Sequence, residues 1–214
     1  MQADTVNLCH YWRSSASYRL RIALNIADIN YVEVPVNLLT EENLKPEYLA
    51  RNPQGLVPVL EIDGKIMTQS LAIIEYLNET RGDVRFLPGD PIDRQSVRAL
   101  SCAAAMEIHP VCNLRVVACA AEYAHDESFE KKWMQKFIPE GLFAFEAMLE
   151  KTGTDKFCFG DTLTLADICL VPQVYNALRW EVDLSSVPDL FRIYENCSKL
   201  PAFIKAHPDN FKPQ

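Results

Sequence analysis

The feature that most constrains this chain is a change of grain near its middle. Residues 82–93 read GDVRFLPGDPID, with two prolines, two glycines and three aspartates, a stretch that breaks regular structure and suits a connection between domains. Ahead of it, strand-like and helical runs alternate. Beyond it, strand signals nearly vanish. A length of 214 residues admits two small domains. The break sets them at 1–82 and 92–214, joined by 83–91.

In the first domain VNLCHY (6–11) and YVEVPV (31–36) have strand character. Between them SSASYRLRIALNIADI (14–29) reads as a helix with Tyr18, Ile22 and Ile26 along one face. A polar helical stretch follows at about 41–51. LVPVLEID (56–63), a turn at Asp63-Gly64 and KIMT (65–68) form a hairpin, and SLAIIEYLNETR (70–81) is a helix with Leu71, Ile74 and Leu77 on one side. The hairpin makes the last two strands antiparallel, whereas a helical crossover makes the first two parallel. This order, β-α-β-α-β-β-α, is thioredoxin-like. In the second domain helices are expected at about 92–123, 127–150, 164–180, 187–198 and 200–206, the first of them kinked by Pro110. The expected fold class is an α/β thioredoxin-like domain followed by an all-α domain.

Charge narrows the partners. Lys and Arg number 21 against 29 Asp and Glu, a net charge of −8, which argues against nucleic acid and anionic membranes. No apolar run approaches the ~18 residues of a membrane span, and the opening MQADTVNLCHYW has neither a basic nor a long apolar region, so no secretory leader is expected. Cysteines at 9, 102, 112, 119, 158, 169 and 197 form no C-x-x-C and no zinc-like spacing. They read as free thiols, mostly buried, in a reducing compartment, the cytoplasm, with no metal site.

Three motifs in the first domain can carry chemistry. Arg13-Ser14-Ser15-Ala16-Ser17-Tyr18-Arg19 lies where the first strand gives way to the first helix. Unpaired N–H groups and the positive end of a helix favour an anion there, although serine at such a place is also an ordinary N-cap. In Asn52-Pro53-Gln54-Gly55-Leu56-Val57-Pro58-Val59-Leu60, Pro58 opens a strand. A proline at this point of a thioredoxin-like sheet is often cis and leaves the backbone of Val57 to an extended peptide ligand; the plainer reading is an edge-strand proline. Thr68-Gln69-Ser70 begins the next helix, where Gln69 and Ser70 can cap it and hold a carboxylate. In the second domain Thr164-Leu165-Ala166-Asp167 has capping-box spacing and is structural. Cys112 and Cys119, seven apart, suggest a shared packed face. Arg13, Arg115 and Arg179 come from three separate segments, and such planar cations suit a dicarboxylate.

Taken in order, RSSASYRLRIAL, NPQGLVPVL, QSLAIIEYL, HPVCNLRV and GDTLTLADICLVPQ resemble the zeta class of glutathione transferases, from about residue 6 to residue 208. The resemblance implies glutathione as cofactor, with Ser14 facing its sulfur, Ser15 beside it, and Asn43 at its glycine end. It implies that Val57, ahead of Pro58, pairs with the cysteinyl backbone, that Gln69 and Ser70 hold the γ-glutamyl carboxylate, and that His109, Asn113, Leu114 and Arg115 line the site. It further implies a homodimer and a small dicarboxylate or keto-acid substrate whose cis double bond is isomerised. Maleylacetoacetate is the first expectation and maleylpyruvate the second. A transferase or dehalogenase acting on α-halo acids, and a binding module without activity, are the alternatives. Ser14, Ser15, Arg13 and Arg179 are expected to serve the chemistry. Where the class usually has Ser-Ser-Cys this chain has Ala16, which excludes any step needing that thiol.

Overall fold

The computed structural model describes residues 5–213. These divide into two units, one running up to Arg85 and resuming at Pro201, the other spanning Phe86–Leu200.

The first unit contains β1 (Asn7–His10), α1 (Ser15–Ile26), β2 (Val32–Pro35), α2 (Pro46–Leu49), β3 (Val59–Ile62), β4 (Lys65–Thr68) and α3 (Ser70–Thr80). The sheet order is β2-β1-β3-β4, with β1 parallel to β2 and antiparallel to β3, and β4 antiparallel to β3. This is the mixed, thioredoxin-like sheet that the crossover and the hairpin dictate. Strand β3 starts only at Val59, because Pro58 has no N–H to give the ladder. The polar stretch before it forms two 3-10 turns and the single turn of α2.

Helix α1 is buried almost all round, from Ala16 to Leu24, because α3 and a C-terminal helix, α10 (Pro201–Ala206), both pack on it. Phe203 and Ala206 of α10 are fully buried, and the carbonyls of Ala202 and Ala206 accept hydrogen bonds from Asn25 and Arg21 of α1. The segment expected to end the helical domain therefore belongs to the first unit. Its local pattern is helical either way, and only the partner of its apolar face decides where it goes.

The second unit is helical: α4 (Pro91–Cys102), α5 (His109–Val111), α6 (Leu114–Ala124), α7 (Phe129–Leu149), α8 (Leu165–Arg179) and α9 (Pro188–Ser198). The carbonyl of Phe86 accepts from the N–H of Leu165, so the unit begins inside the expected linker. The long helix expected at 92–123 is interrupted. Ala103–Ile108 widen into π-helix ahead of Pro110, whose ring nitrogen has no hydrogen for the preceding turn, and the chain restarts as α6 behind Asn113. This π segment presses on α7 at Gly141, where a Cβ would sit 2.3 Å from a carbon of Ile108. The restart also corrects the shared face of Cys112 and Cys119: Cys112 is buried and Cys119 exposed, since the helical register does not run through residue 113. The capping box is present. Thr164 N–H and Oγ1 donate to one oxygen of buried Asp167, and the N–H of Cys158 donates to the other, at 2.7, 3.1 and 2.8 Å.

Candidate active site

The sheet register gathers the three motifs of the first unit. Cys9 pairs with Val59, and Val59 with Thr68, so the end of β1, the start of β3 and the end of β4 lie at one end of the sheet. The loop carrying Ser14 leaves that end, Val57-Pro58 enters it, and Gln69-Ser70 follows from it.

Ser14 is the N-cap of α1, and its Oγ accepts from the N–H of Ser17 at 3.2 Å. The cap leaves the hydroxyl proton of Ser14 available to a further acceptor. The backbone N–H groups of Ser15 and Ala16 have no partner among the described residues, and α1 has no acidic residue in its first turn. The positive end of the helix is therefore unneutralised by its own side chains. Arg13 stands just before it, its guanidinium 5.2 Å from the ring centre of Trp12. The loop itself is tied down: Tyr11 N–H donates to Ser17 Oγ, Ser14 N–H to the carbonyl of Tyr11, and Arg21 to the carbonyl of Trp12.

The Val57-Pro58 peptide is cis. The side chain of Val57 packs on the cluster of Cys9, Val36, Tyr48 and Val59. Its backbone N–H and C=O have no partner among the described residues, so both remain for an extended ligand. The turn before it is built by residues of the same motif together with Tyr48, which the sequence did not single out. Buried Asn52 donates to the carbonyl of Leu56 and accepts from the N–H of Gln54, and Tyr48 donates to the same carbonyl. Asn43 donates to the carbonyl of Gly55 at 2.7 Å. Gly55 has φ of +63°, and a Cβ there would lie 3.0 Å from Leu44 Cδ2.

Gln69 does not cap α3 with its side chain, which corrects one expectation: its amide donates to Gln54 Oε1 at 2.8 Å instead. Its backbone holds a φ of +69°, a region sparsely used by residues other than glycine. Helix α3 has no acidic residue in its first turn, and buried Ser70 opens it. The same end of the sheet thus carries a second uncompensated helix N-terminus.

In the second unit His109 follows the π segment and is half-buried. Asn113 caps α6 by accepting from the N–H of Arg115 at 3.1 Å. Leu114 is 40% exposed and Arg115 is exposed beside it. Arg179 closes α8, where a cation complements the helix dipole, and donates to Asn176 Oδ1. The chain's buried thiols are poor nucleophiles. Burial pushes Cys9, Cys112, Cys158 and Cys197 above the ordinary thiol range, Cys112 to about 11. Arg51, 3.5 Å from Cys9, opposes this only in part and is also held by Glu61. Among the described residues no cluster of side chains suits a metal ion.

A thioredoxin-like unit with two open helix N-termini and an unpaired strand entry at one sheet end, joined to a helical unit, defines a protein suited to an extended, acidic ligand. Residues 4–79 match the glutathione S-transferase N-terminal domain and 113–209 the C-terminal domain, and the chain belongs to the glutathione S-transferase family. It is 61% identical over 214 residues, all of both chains, to the maleylacetoacetate isomerase of Rhizobium meliloti (strain 1021). Two solved structures share the fold over nearly their whole length. One is the holo form of a zeta-class maleyl pyruvate isomerase, described as a bacterial glutathione S-transferase (TM-score 0.92, 40% identity, 97% of this chain and 99% of that one). The other is a maleylacetoacetate isomerase from Methylobacterium extorquens AM1 with bound malonate and glutathione (TM-score 0.91, 37% identity, 97% and 98% covered).

Proposed function

We propose that this chain is a glutathione-dependent cis–trans isomerase that converts maleylacetoacetate to fumarylacetoacetate. The observation that carries the choice of reaction is the 61% identity, end to end, to a maleylacetoacetate isomerase. The open donors at the sheet end fit the cofactor. Bound there, glutathione supplies a thiol that adds to one carbon of the double bond and leaves after rotation.

The chain's own residues prepare that thiol. An ordinary thiol has a pKa of about 8.5 and is only a few per cent ionised at neutral pH. The Ser14 hydroxyl, the N–H groups at the start of α1 and the helix dipole favour the ionised form by donating to it. The backbone of Val57 aligns the peptide. Gln69, Ser70 and the start of α3 hold its γ-glutamyl carboxylate, and Asn43 serves its glycine end. Arg13 and Arg179 bind the substrate's carboxylates and the charge that develops on its carbonyl oxygen. His109, Asn113, Leu114 and Arg115 complete the lining. In this reading the first unit binds the peptide, and Arg13 of that unit and Arg179 of the helical unit bind the substrate.

Maleylpyruvate is the second reading, supported by the exposed Arg115, a further cation suited to a shorter substrate. The same proposal includes residence in the cytoplasm, a part in aromatic amino-acid breakdown, and a homodimer. Among the described residues no helix is long and apolar enough to cross a membrane. Ile66 and Ile92, exposed at 53% and 76%, are apolar surface that association would cover.

The test is steady-state isomerisation of both substrates by Arg13→Met, Arg115→Met and Arg179→Met, with glutathione binding followed by calorimetry. Arg13→Met and Arg179→Met are expected to lose roughly 30- to 1000-fold in kcat/KM. A surface ion pair would account for no more than about 1 kcal/mol. If Arg115→Met loses maleylpyruvate turnover alone, this residue tunes substrate choice. Wild-type rates in all three variants on both substrates would remove the carboxylate clamp. Absence of heat with glutathione would remove the cofactor.

A further inference from the structure

Arg21 lies two turns along α1 from Ser14 and is fully buried. Side chains on a helix lean toward its N-terminus, which brings this one back to the loop that precedes the helix. Nη2 donates to the carbonyl of Trp12 at 3.0 Å, Nη1 to Nδ1 of His10 at 3.1 Å, and Nε to the carbonyl of Ala206 at 3.0 Å. Its guanidinium carbon sits 4.4 Å from the ring centre of Phe211 and 5.5 Å from that of Tyr18. One rigid, planar group thus links the end of β1, the loop that presents Arg13 and Ser14, and the C-terminal segment.

We propose that Arg21 is a positioning residue for the thiol site, and that the C-terminal segment 206–211 sets the Ser14 loop through it. A guanidinium has donors in fixed directions and no acceptor, so its three acceptors must stay nearly in one plane. Moving Trp12 away would leave a buried cationic donor unpaired, which is far costlier than losing the same bond at a surface. Phe211, its ring centre 4.4 Å from the guanidinium carbon, packs against the group and restricts its movement. The other bonds of the loop, Tyr11 to Ser17 and Ser14 to Tyr11, are made within the loop and α1. The bonds of Arg21 reach from this loop to the C-terminal segment. Lysine, a point charge on a flexible stem, keeps the charge and loses the plane.

This inference rests on the reading of Ser14 as the residue that faces the glutathione sulfur. Its test uses Arg21→Lys, Arg21→Met and Phe211→Ala in the full-length chain. Folding is checked by thermal unfolding. Two ligands then separate thiol activation from general binding. The pH midpoint for ionisation of bound glutathione is read from the ultraviolet absorbance of the thiolate. Affinity for S-methylglutathione, which keeps the peptide and cannot ionise, is read by calorimetry.

Arg21→Lys and Phe211→Ala are expected to raise the ionisation midpoint by about one pH unit and to lower kcat roughly tenfold, a factor that corresponds to that shift. Affinity for S-methylglutathione should stay within about threefold, or ~0.7 kcal/mol. An unmoved midpoint in a folded variant overturns the proposal, as does an equal loss of S-methylglutathione affinity, which marks a merely structural role. If both Arg21 variants fail to fold, Phe211→Ala decides alone. A wild-type protein that binds neither ligand fails the underlying reading instead, and is recognised before any variant is made.

Discussion

Burial decides what His10 does. Arg21 can only donate, so Nδ1 of His10 accepts and the ring proton sits on Nε2, 3.9 Å from Glu33 Oε2. Burial first, and the Arg21 charge second, lower the pKa of His10 to about 4. The ring is neutral at pH 7, so its approach to Glu33 is no ion pair there. The unfolded chain takes up this proton near pH 6.5 and the folded chain only near pH 4. Stability is therefore complete above about pH 6.5 and falls as the pH drops toward 4, by about 1.4 kcal/mol per unit and ~3 kcal/mol in all. Denaturant midpoints at pH 7 and pH 4.5 check this. The wild type should lose more than His10→Gln, and equal losses would refute it. Ala16 makes the opposite case, a residue at a chemical position with no chemistry. Its methyl group is buried at the start of α1, and the nucleophile belongs to glutathione. Ala16→Cys is expected to change isomerisation less than tenfold, or ~1.4 kcal/mol. A gain of several hundredfold would mean that the wild type lacks the activity.

Among the elements, the starts of helices carry the most information. Ser14 and Thr164 were legible as caps, since an oxygen one residue ahead of a helix meets its first N–H groups for local reasons, whereas the caps at Asp90 and Asn113 appear only in the structure. What the local pattern withheld was which caps compete with another partner. Gln69 stands at such a start, yet its amide reaches Gln54, a contact fifteen residues away in sequence. The break of the long helix at residues 103–113 was legible only as a kink at Pro110. The structure places the restart behind the Asn113 cap, after a π segment that packs against Gly141. The Asp167 box gives the sharpest test at this scale. Burial pushes its carboxyl up, and the donors from Cys158 and Thr164 pull it back. Asp167→Ala leaves three buried donors without their acceptor and should cost about 3–5 kcal/mol. Thr164→Ala should cost about 1 kcal/mol. Urea unfolding of the two variants measures both, and near-equal costs would mean that the carboxylate serves only as a cap.

For the whole molecule, the return of the C-terminus to the first unit has an energetic consequence. Ending the chain after Leu200 removes buried Phe203 and Ala206 and two acceptors of α1. Loss of a buried aromatic alone costs ~3–5 kcal/mol, against a total stability of about 5–15 kcal/mol. The truncated chain is expected to melt at least ~10 °C lower or to aggregate. A chain ended after exposed Lys212 should melt like the wild type. Thermal circular dichroism distinguishes the two, and an unchanged midpoint in the shorter chain would show that α10 is dispensable.

The amino-acid sequence by itself determined the two-part architecture, the hairpin, the caps at Ser14 and Thr164 and the three motifs of the first unit. Each of these follows from the spacing of apolar residues or from the chemistry of a turn, and both act over a few positions. Only the tertiary structure decided that residues 201–213 pack on α1, that Gln69 bonds Gln54, and that Arg21 joins His10, Trp12 and Ala206. An arginine in a helix carries no local sign of being buried. Its place becomes visible only when segments far apart in the chain bring acceptors to all its donors at once, because a cation leaves water only where such partners replace it.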